Sequence, residues 1–235
     1  MLKPIGARLL DPKEQVLPKG TVSGKALEVG CGSGRLLAQL AAAGWEVVGL
    51  EPSQATVDRI RRQTNLEIFH GAIDSAEFSD DSFDLVAAIM VLEHLHDPLG
   101  DLKKMRRWLR PGAHLMGSVP NCASWEFRYF GPEWYALQVP THLFHYTPDT
   151  LSAMLQQAGF YRIAVYHQRN VNNLMVHLGR WLAQRKSRFA RVCLEYPEKG
   201  SVGLRLALRP IASLLAWLRQ AGRITFVAEN PVDTH

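Results

Sequence analysis

Seven residues at 28–34 read EVGCGSG, and their types and spacing suit the holding of a polar ligand against main chain. Gly30, Gly32 and Gly34 permit a tight turn and let a ligand approach the backbone closely. A strand-like run at 25–30 leads into the loop, and a helical period at 35–43 follows it. The loop therefore opens a helix, whose first N–H groups are free for polar or anionic ligand atoms. A dinucleotide site calls for G-x-G-x-x-G, and its third glycine would fall at Arg35. A bare strand–helix turn would use the same glycines with no ligand. Glu51, 17 residues past Gly34, ends the next strand-like run, where a carboxylate can accept hydrogen bonds from both hydroxyls of a ribose.

The elements that must hold these residues alternate along the chain. Apolar runs at 46–50, 66–70, 83–90, 113–119 and 160–167 read as strands, with a last one at 223–228. The run at 83–90 is apolar at nearly every position, as in a central strand covered on both faces. Helical patterns fill 54–63, 99–109 and 147–158, the last with Thr147 as N-cap and Pro148 at its first position. Strands alternating with such helices imply a doubly wound α/β sheet. Residues 1–24 are rich in turn formers and read as an irregular lead-in with a short helix; 25–235 read as one domain.

Further motifs follow the glycine loop in order: GAIDSAEF at 71–78, SFDLV at 82–86, VLEHLHDP at 91–98 and LRPG at 109–112. Together, from about Ala26 to Val119, they resemble the class I S-adenosylmethionine (SAM)-dependent methyltransferases. The resemblance implies a Rossmann-like seven-stranded sheet of order 3-2-1-4-5-7-6 with an antiparallel last strand. It implies SAM across the C-terminal strand edges, leaving S-adenosylhomocysteine as product. Gly30, Cys31 and Gly32 would approach its methionine part, and Glu51 its ribose. Ala72 and Ile73 would flank adenine. Glu28, Gly34, Pro52, Ile89, Met90 and Glu93 complete the expected cofactor set. The family often has an acid where this chain has Ala72, with Asp74 two places on.

Methyl transfer from a sulfonium needs an aligned acceptor and the exclusion of water, with a base where the acceptor must lose a proton. The candidates are His142, then His145 and Tyr146, and His94 after the fourth strand. In related quinone-biosynthesis O-methyltransferases, an acid three places before the Glu93-His94 pair joins it in binding a metal. Here that position is Met90, a poor ligand for a hard cation, so the expectation is no metal. Residues 120–146 are a long, ring-rich connection: 125–146 hold eight of the chain's 21 aromatics. RYFGPEW at 128–134 and PTHLFHYT at 140–147 resemble a bacterial methyltransferase subgroup, and the segment reads as an acceptor lid with Arg128, Phe130 and Trp134 touching the acceptor.

Charge narrows the partners. The chain carries a net +5, but residues 1–170 hold 17 Lys and Arg against 18 Asp and Glu, whereas 171–221 hold 9 against 2. The basic character thus belongs to one insert between the last two strands, with apolar helical patterns on Leu174, Leu178, Trp181 and Leu182 and on Leu204, Leu208, Ile211, Leu214, Leu215 and Leu218. Such helices fit packing on the domain, a homodimer contact or a peripheral membrane surface. The D/N-P-P-Y/F segment of nucleic-acid amino-methyltransferases is absent, Met90 to Glu93 standing in its place, so a small-molecule, sugar or lipid-linked acceptor is favoured over nucleic acid. Its rivals are an idle SAM- or NAD-binding protein and a nucleic-acid methyltransferase. Three scattered cysteines and no long apolar run suggest a cytoplasmic protein, with membrane-surface association through the insert as the variant of that reading.

Overall fold

The alternation of apolar runs and helical periods becomes one sheet with helices on both faces in the computed structural model, which describes residues 7–9, 16–18 and 23–232. Ahead of the sheet, β1 (Ala7–Leu9) and β2 (Val16–Pro18) pair antiparallel. The described part of the lead-in is thus a strand pair, not the expected irregular segment with a short helix; the rest lies outside the described residues. The repeating unit then begins: β3 (Lys25–Val29), α1 (Arg35–Ala42), β4 (Glu46–Glu51), α2 (Gln54–Gln63), β5 (Glu67–His70), β6 (Phe83–Ile89), α3 (Pro98–Trp108) and β7 (Leu109–Pro120). The helices start where their caps dictate. Ser53 Oγ accepts from the Thr56 N–H at the head of α2, and Asp97 accepts from the Gly100 N–H at the head of α3, where Pro98 takes the first position.

The fifth strand runs longer than its apolar core suggests. Phe83 pairs with Leu109 and Leu85 with His114, so Arg110 to Ala113 bulge out between two paired stretches. After β7 come α4 (Trp125–Phe130), two 3₁₀ turns, α5 (Pro148–Gln157) and β8 (Tyr161–His167). Thr147 and Thr150 form a reciprocal capping box at the head of α5. The chain then makes α6 (Asn172–Gln184), α7 (Ala190–Lys199) and α8 (Val202–Trp217) before closing with β9 (Arg223–Glu229). The insert thus holds three helices where periodicity indicates two. The missed one, α7, is rich in polar residues and contains Pro197, which reads as a breaker.

The strand order is β5-β4-β3-β6-β7-β9-β8, with β9 antiparallel to both neighbours. Counted within the sheet this is 3-2-1-4-5-7-6, as expected. The order reverses beside β3, whose neighbours are β4 and β6. In open α/β sheets a crevice forms at the carboxyl ends of the strands at such a point, and ligands bind there. Leu27, Val29, Val86 and Trp108 lie in a buried cluster on one face of the sheet. Ala26, Leu36, Leu40 and Leu85 lie in one on the other. Full burial of a leucine-sized side chain contributes roughly 1.5–3 kcal/mol, so these two layers hold the strand ends in place. The insert has a smaller core of its own around Val171, Met175, Cys193, Tyr196 and Ala212.

Candidate active site

Between β3 and α1 the main chain turns three times through left-handed backbone: φ is +64° at Gly30, +52° at Gly32 and +70° at Gly34. Glycine meets that requirement at no steric cost. At Gly30 a Cβ would also come within 2.8 Å of Val91 Cγ2. The turn is tied to the end of β4, where Leu50 O accepts from the Gly30 N–H at 2.8 Å. Glu51 is locked at the same place. Its Oε2 accepts from the Gly32 N–H at 3.0 Å and its Oε1 from the Ser53 N–H at 3.1 Å. Two backbone donors fix the carboxylate's orientation, and each oxygen keeps a further lone pair.

A cavity of about 530 Å³ opens over these strand ends. That is the size of a small-molecule site. Of the residues expected at the cofactor, Gly30, Glu51, Pro52, Ala72, Ile73 and Met90 line it. Glu28, Cys31, Gly32, Gly34, Ile89 and Glu93 stand outside its wall. Glu28 is buried with Oε2 unpartnered, and burial pushes its carboxyl up to about 8. The Cys31 thiol is pushed up to about 12 by burial and by the charges of Glu28 and Glu51, so it is no nucleophile. Asp74, His96, Asp97 and Asp101 also line the cavity and were missed by the sequence reading. The polar cluster HLHDP at 94–98 holds the signal for His96 and Asp97, and Asp74 is the acid two places past Ala72.

SAM fits this donor set. Glu51 offers paired acceptor oxygens to a vicinal diol. Ala72 and Ile73, with Val29 and Leu50, give the cavity apolar wall for a flat base. Gly32 leaves a cradle: a Cβ there would meet nothing closer than Gly30 O at 3.8 Å.

No residue of 120–146 is among the lining of this cavity, and the segment meets it through His94. His94 lines the cavity, and its Nδ1 lies 3.0 Å from Thr141 O. His142 is buried, with Nδ1 2.8 Å from Ala136 O. A carbonyl only accepts, so each ring carries a proton on Nδ1, and the lone pair of the neutral ring is on Nε2. The two rings meet edge to face at 4.7 Å. Burial, and the neighbouring His94 and His145, hold His142 below the usual imidazole range, so it is neutral at pH 7. Glu93 is fully buried, neither carboxylate oxygen has a hydrogen-bond partner among the described residues, and burial pushes it up to about 7. Ligand atoms of Glu93, His94 and His142 all lie within 4.8 Å of one another. The expectation of no metal rested on Met90 and did not foresee a lid histidine reaching this pair.

Other lid residues are turned to structural work. Tyr146 is buried, its hydroxyl donates to Leu92 O at 3.2 Å, and burial raises its pKa, which unsuits it as a base. His145 Nε2 bonds Leu137 O at 2.9 Å. The three residues expected at the acceptor make contacts within the protein. Arg128 donates to Gln220 beyond α8. Phe130 stacks on His177 of α6 at 3.5 Å. Trp134 is buried and donates to Glu126 Oε2 at 3.2 Å. Rings in this segment join lid to insert, a role their density alone does not reveal.

Comparison with known proteins agrees with this fold. A family model for the methyltransferase domain matches residues 3–165. The ubiquinone biosynthesis O-methyltransferase of Aliivibrio fischeri (strain MJ11) is 31% identical over 150 residues, 59% of this chain and 64% of that one. This chain thus spans less than two thirds of that relative's length. A SAM-dependent methyltransferase structure from Thermotoga maritima, described as a possible histamine N-methyltransferase, superposes with a TM-score of 0.60 at 16% identity, covering 90% of this chain and 84% of that one. Haemonchus contortus phosphoethanolamine N-methyltransferase 2, solved with S-adenosylhomocysteine, gives 0.59 at 18% identity over 91% of this chain and 50% of that one. Structural likeness at such identities carries the fold alone.

Proposed function

The chain belongs to the methyltransferase-domain family, and from that premise we propose that it is a SAM-dependent methyltransferase acting on an oxygen of a small-molecule acceptor. The observation that carries this reading is one cavity bordered by Gly30, Glu51 and His94. Glu51 holds and orients a ribose diol, and Gly30 and Gly32 let the ligand's chain lie against the backbone. Bound SAM supplies an electrophilic methyl group on a sulfonium. His94, at the wall with a free Nε2, takes the acceptor hydroxyl's proton, while Thr141 O holds its tautomer. His142 packs on His94 and positions it. The oxygen assignment draws on the ubiquinone biosynthesis O-methyltransferase relative. The test is transfer of labelled methyl from SAM to a panel of phenols, sugars and lipid-linked hydroxyl compounds. Label on oxygen supports the reading. Tight SAM binding with no transfer to any of them would leave an idle binder.

One observation favours a second reading, the convergence of Glu93, His94 and His142. Two imidazoles with Nδ1 held by carbonyls and one carboxylate suit a borderline divalent metal better than magnesium. Such an ion would polarise an acceptor oxygen. Equilibrium dialysis with zinc, and the visible absorption of cobalt, would detect uptake that is lost in His142→Ala. No uptake leaves His94 acting as base alone.

A further inference from the structure

Helix α8 is apolar on both sides. Leu204, Leu208, Ala212 and Leu215 pack into the insert core. The opposite side faces water: Val202 is 74% exposed, Leu206 58%, Leu214 54% and Trp217 78%. At 100° per residue these four fall within one third of the helix circumference, and Ile211 and Leu218 extend the band. Arg205 and Arg209 stand on its shoulder, and Arg219 just beyond its end. Arg205 is tied to the carbonyls of Tyr196, Pro197 and Gly200. Arg209 and Arg219 are exposed. No acidic residue occurs between Gly200 and Gly222. Soluble proteins rarely show so continuous an apolar face without something to cover it.

We propose that this face of α8 docks on the surface of an anionic lipid bilayer, with the helix lying in the interface. Charge selects that occupant. Residues 171–221 carry 9 Lys and Arg against 2 Asp and Glu, so a second copy would bring like charge to like charge. A bilayer surface offers both acyl chains for Leu206, Leu214 and Trp217 and phosphates for Arg209 and Arg219. The end of α6 and the turn into α7 carry the same pairing, with the Arg185 guanidinium 3.7 Å over the Trp181 ring and that of Arg188 5.1 Å over Phe189. Among the described residues no helix is long and apolar enough to cross a membrane, and at 16 residues α8 is about 24 Å long, so it lies along the surface. This inference is independent of the methyl acceptor.

Flotation with vesicles tests it, comparing phosphatidylglycerol-containing with pure phosphatidylcholine membranes at low salt. The protein is expected to float with the anionic vesicles. The triple variant Leu206→Ser, Leu214→Ser, Trp217→Ser should lose about tenfold or more of that affinity. Arg209→Glu with Arg219→Glu should abolish the preference for anionic lipid. Unchanged circular dichroism and SAM titration show that the variants are folded. No flotation with either vesicle would overturn the proposal. So would variants that bind like the parent, or a solution dimer that the serine variant splits while vesicles are ignored.

Discussion

The turn at 30–34 and helix α8 carry their information in different ways. In the turn the backbone decides. Three left-handed residues in five are met at least cost by glycine, so the turn's conformation is written in its residue types. In α8 the side chains decide, and an apolar residue every three or four positions says only that a face exists. Of the six residues in its expected stripe, Leu204, Leu208 and Leu215 pack inward, while Ile211, Leu214 and Leu218 face water. A periodic pattern cannot separate a face that folding buries from one that a partner covers. Backbone-coded sites are therefore legible in a single chain, and surface-coded ones become legible only in three dimensions.

This contrast can be broken by substitution, and the largest effect belongs to the site. His94→Ala should slow methyl transfer by about 10²–10⁴-fold, the usual worth of general acid–base catalysis, with SAM affinity unchanged by calorimetry. An equal loss of SAM binding would make His94 a cofactor residue. Next comes the sheet that holds the strand ends. Trp108 is fully buried against Phe78 and Phe83, so Trp108→Ala should cost about 3–5 kcal/mol in urea unfolding. A cost under 1 kcal/mol would mean that this face of the sheet is not a packed layer.

A pH-dependent effect separates the lid from the sheet. Burial pushes Glu126 from 4.5 up to about 7. Its folded pKa is raised, so folding favours the protonated form. The stability it contributes is full below about pH 4.5 and is lost as pH rises through 7. That loss is about 3 kcal/mol at most. Glu126→Gln mimics the protonated acid, so it should match the parent at pH 4.5 and melt higher than the parent at pH 8. Equal melting temperatures at pH 8 would show that Glu126 is charged and paired in the folded protein. The smallest effect is expected on α8, where Trp217→Ser should change stability in buffer by about 0.5 kcal/mol or less, because the residue is 78% exposed.

Much of the sheet was legible for the same reason as the turn. Thr147 caps the helix its position indicates, and the apolar run at 83–90 forms the buried central strand over 83–89. Within the candidate site, Glu51, Ala72, Ile73 and Met90 stand at the cavity because each ends a strand or lies within three residues of a strand's end. Long-range geometry was not legible. His142 lies 48 positions from His94 in sequence, and only the lid's course brings the two rings to 4.7 Å. Arg128, Phe130 and Trp134 look like acceptor contacts in sequence, yet Arg128 and Phe130 tie the lid to the insert and Trp134 bonds within the lid, since a buried ring serves packing as readily as binding.

The central claim is that the turn and Glu51 together hold SAM. Calorimetric titration of the parent and of Glu51→Ala with SAM, with NAD as control, tests it most directly. The account predicts that the parent binds SAM and not NAD, and that the variant binds SAM about 10–100-fold more weakly, the worth of hydrogen bonds to a charged acceptor. Unchanged SAM affinity in Glu51→Ala, or a parent that prefers NAD, would contradict it.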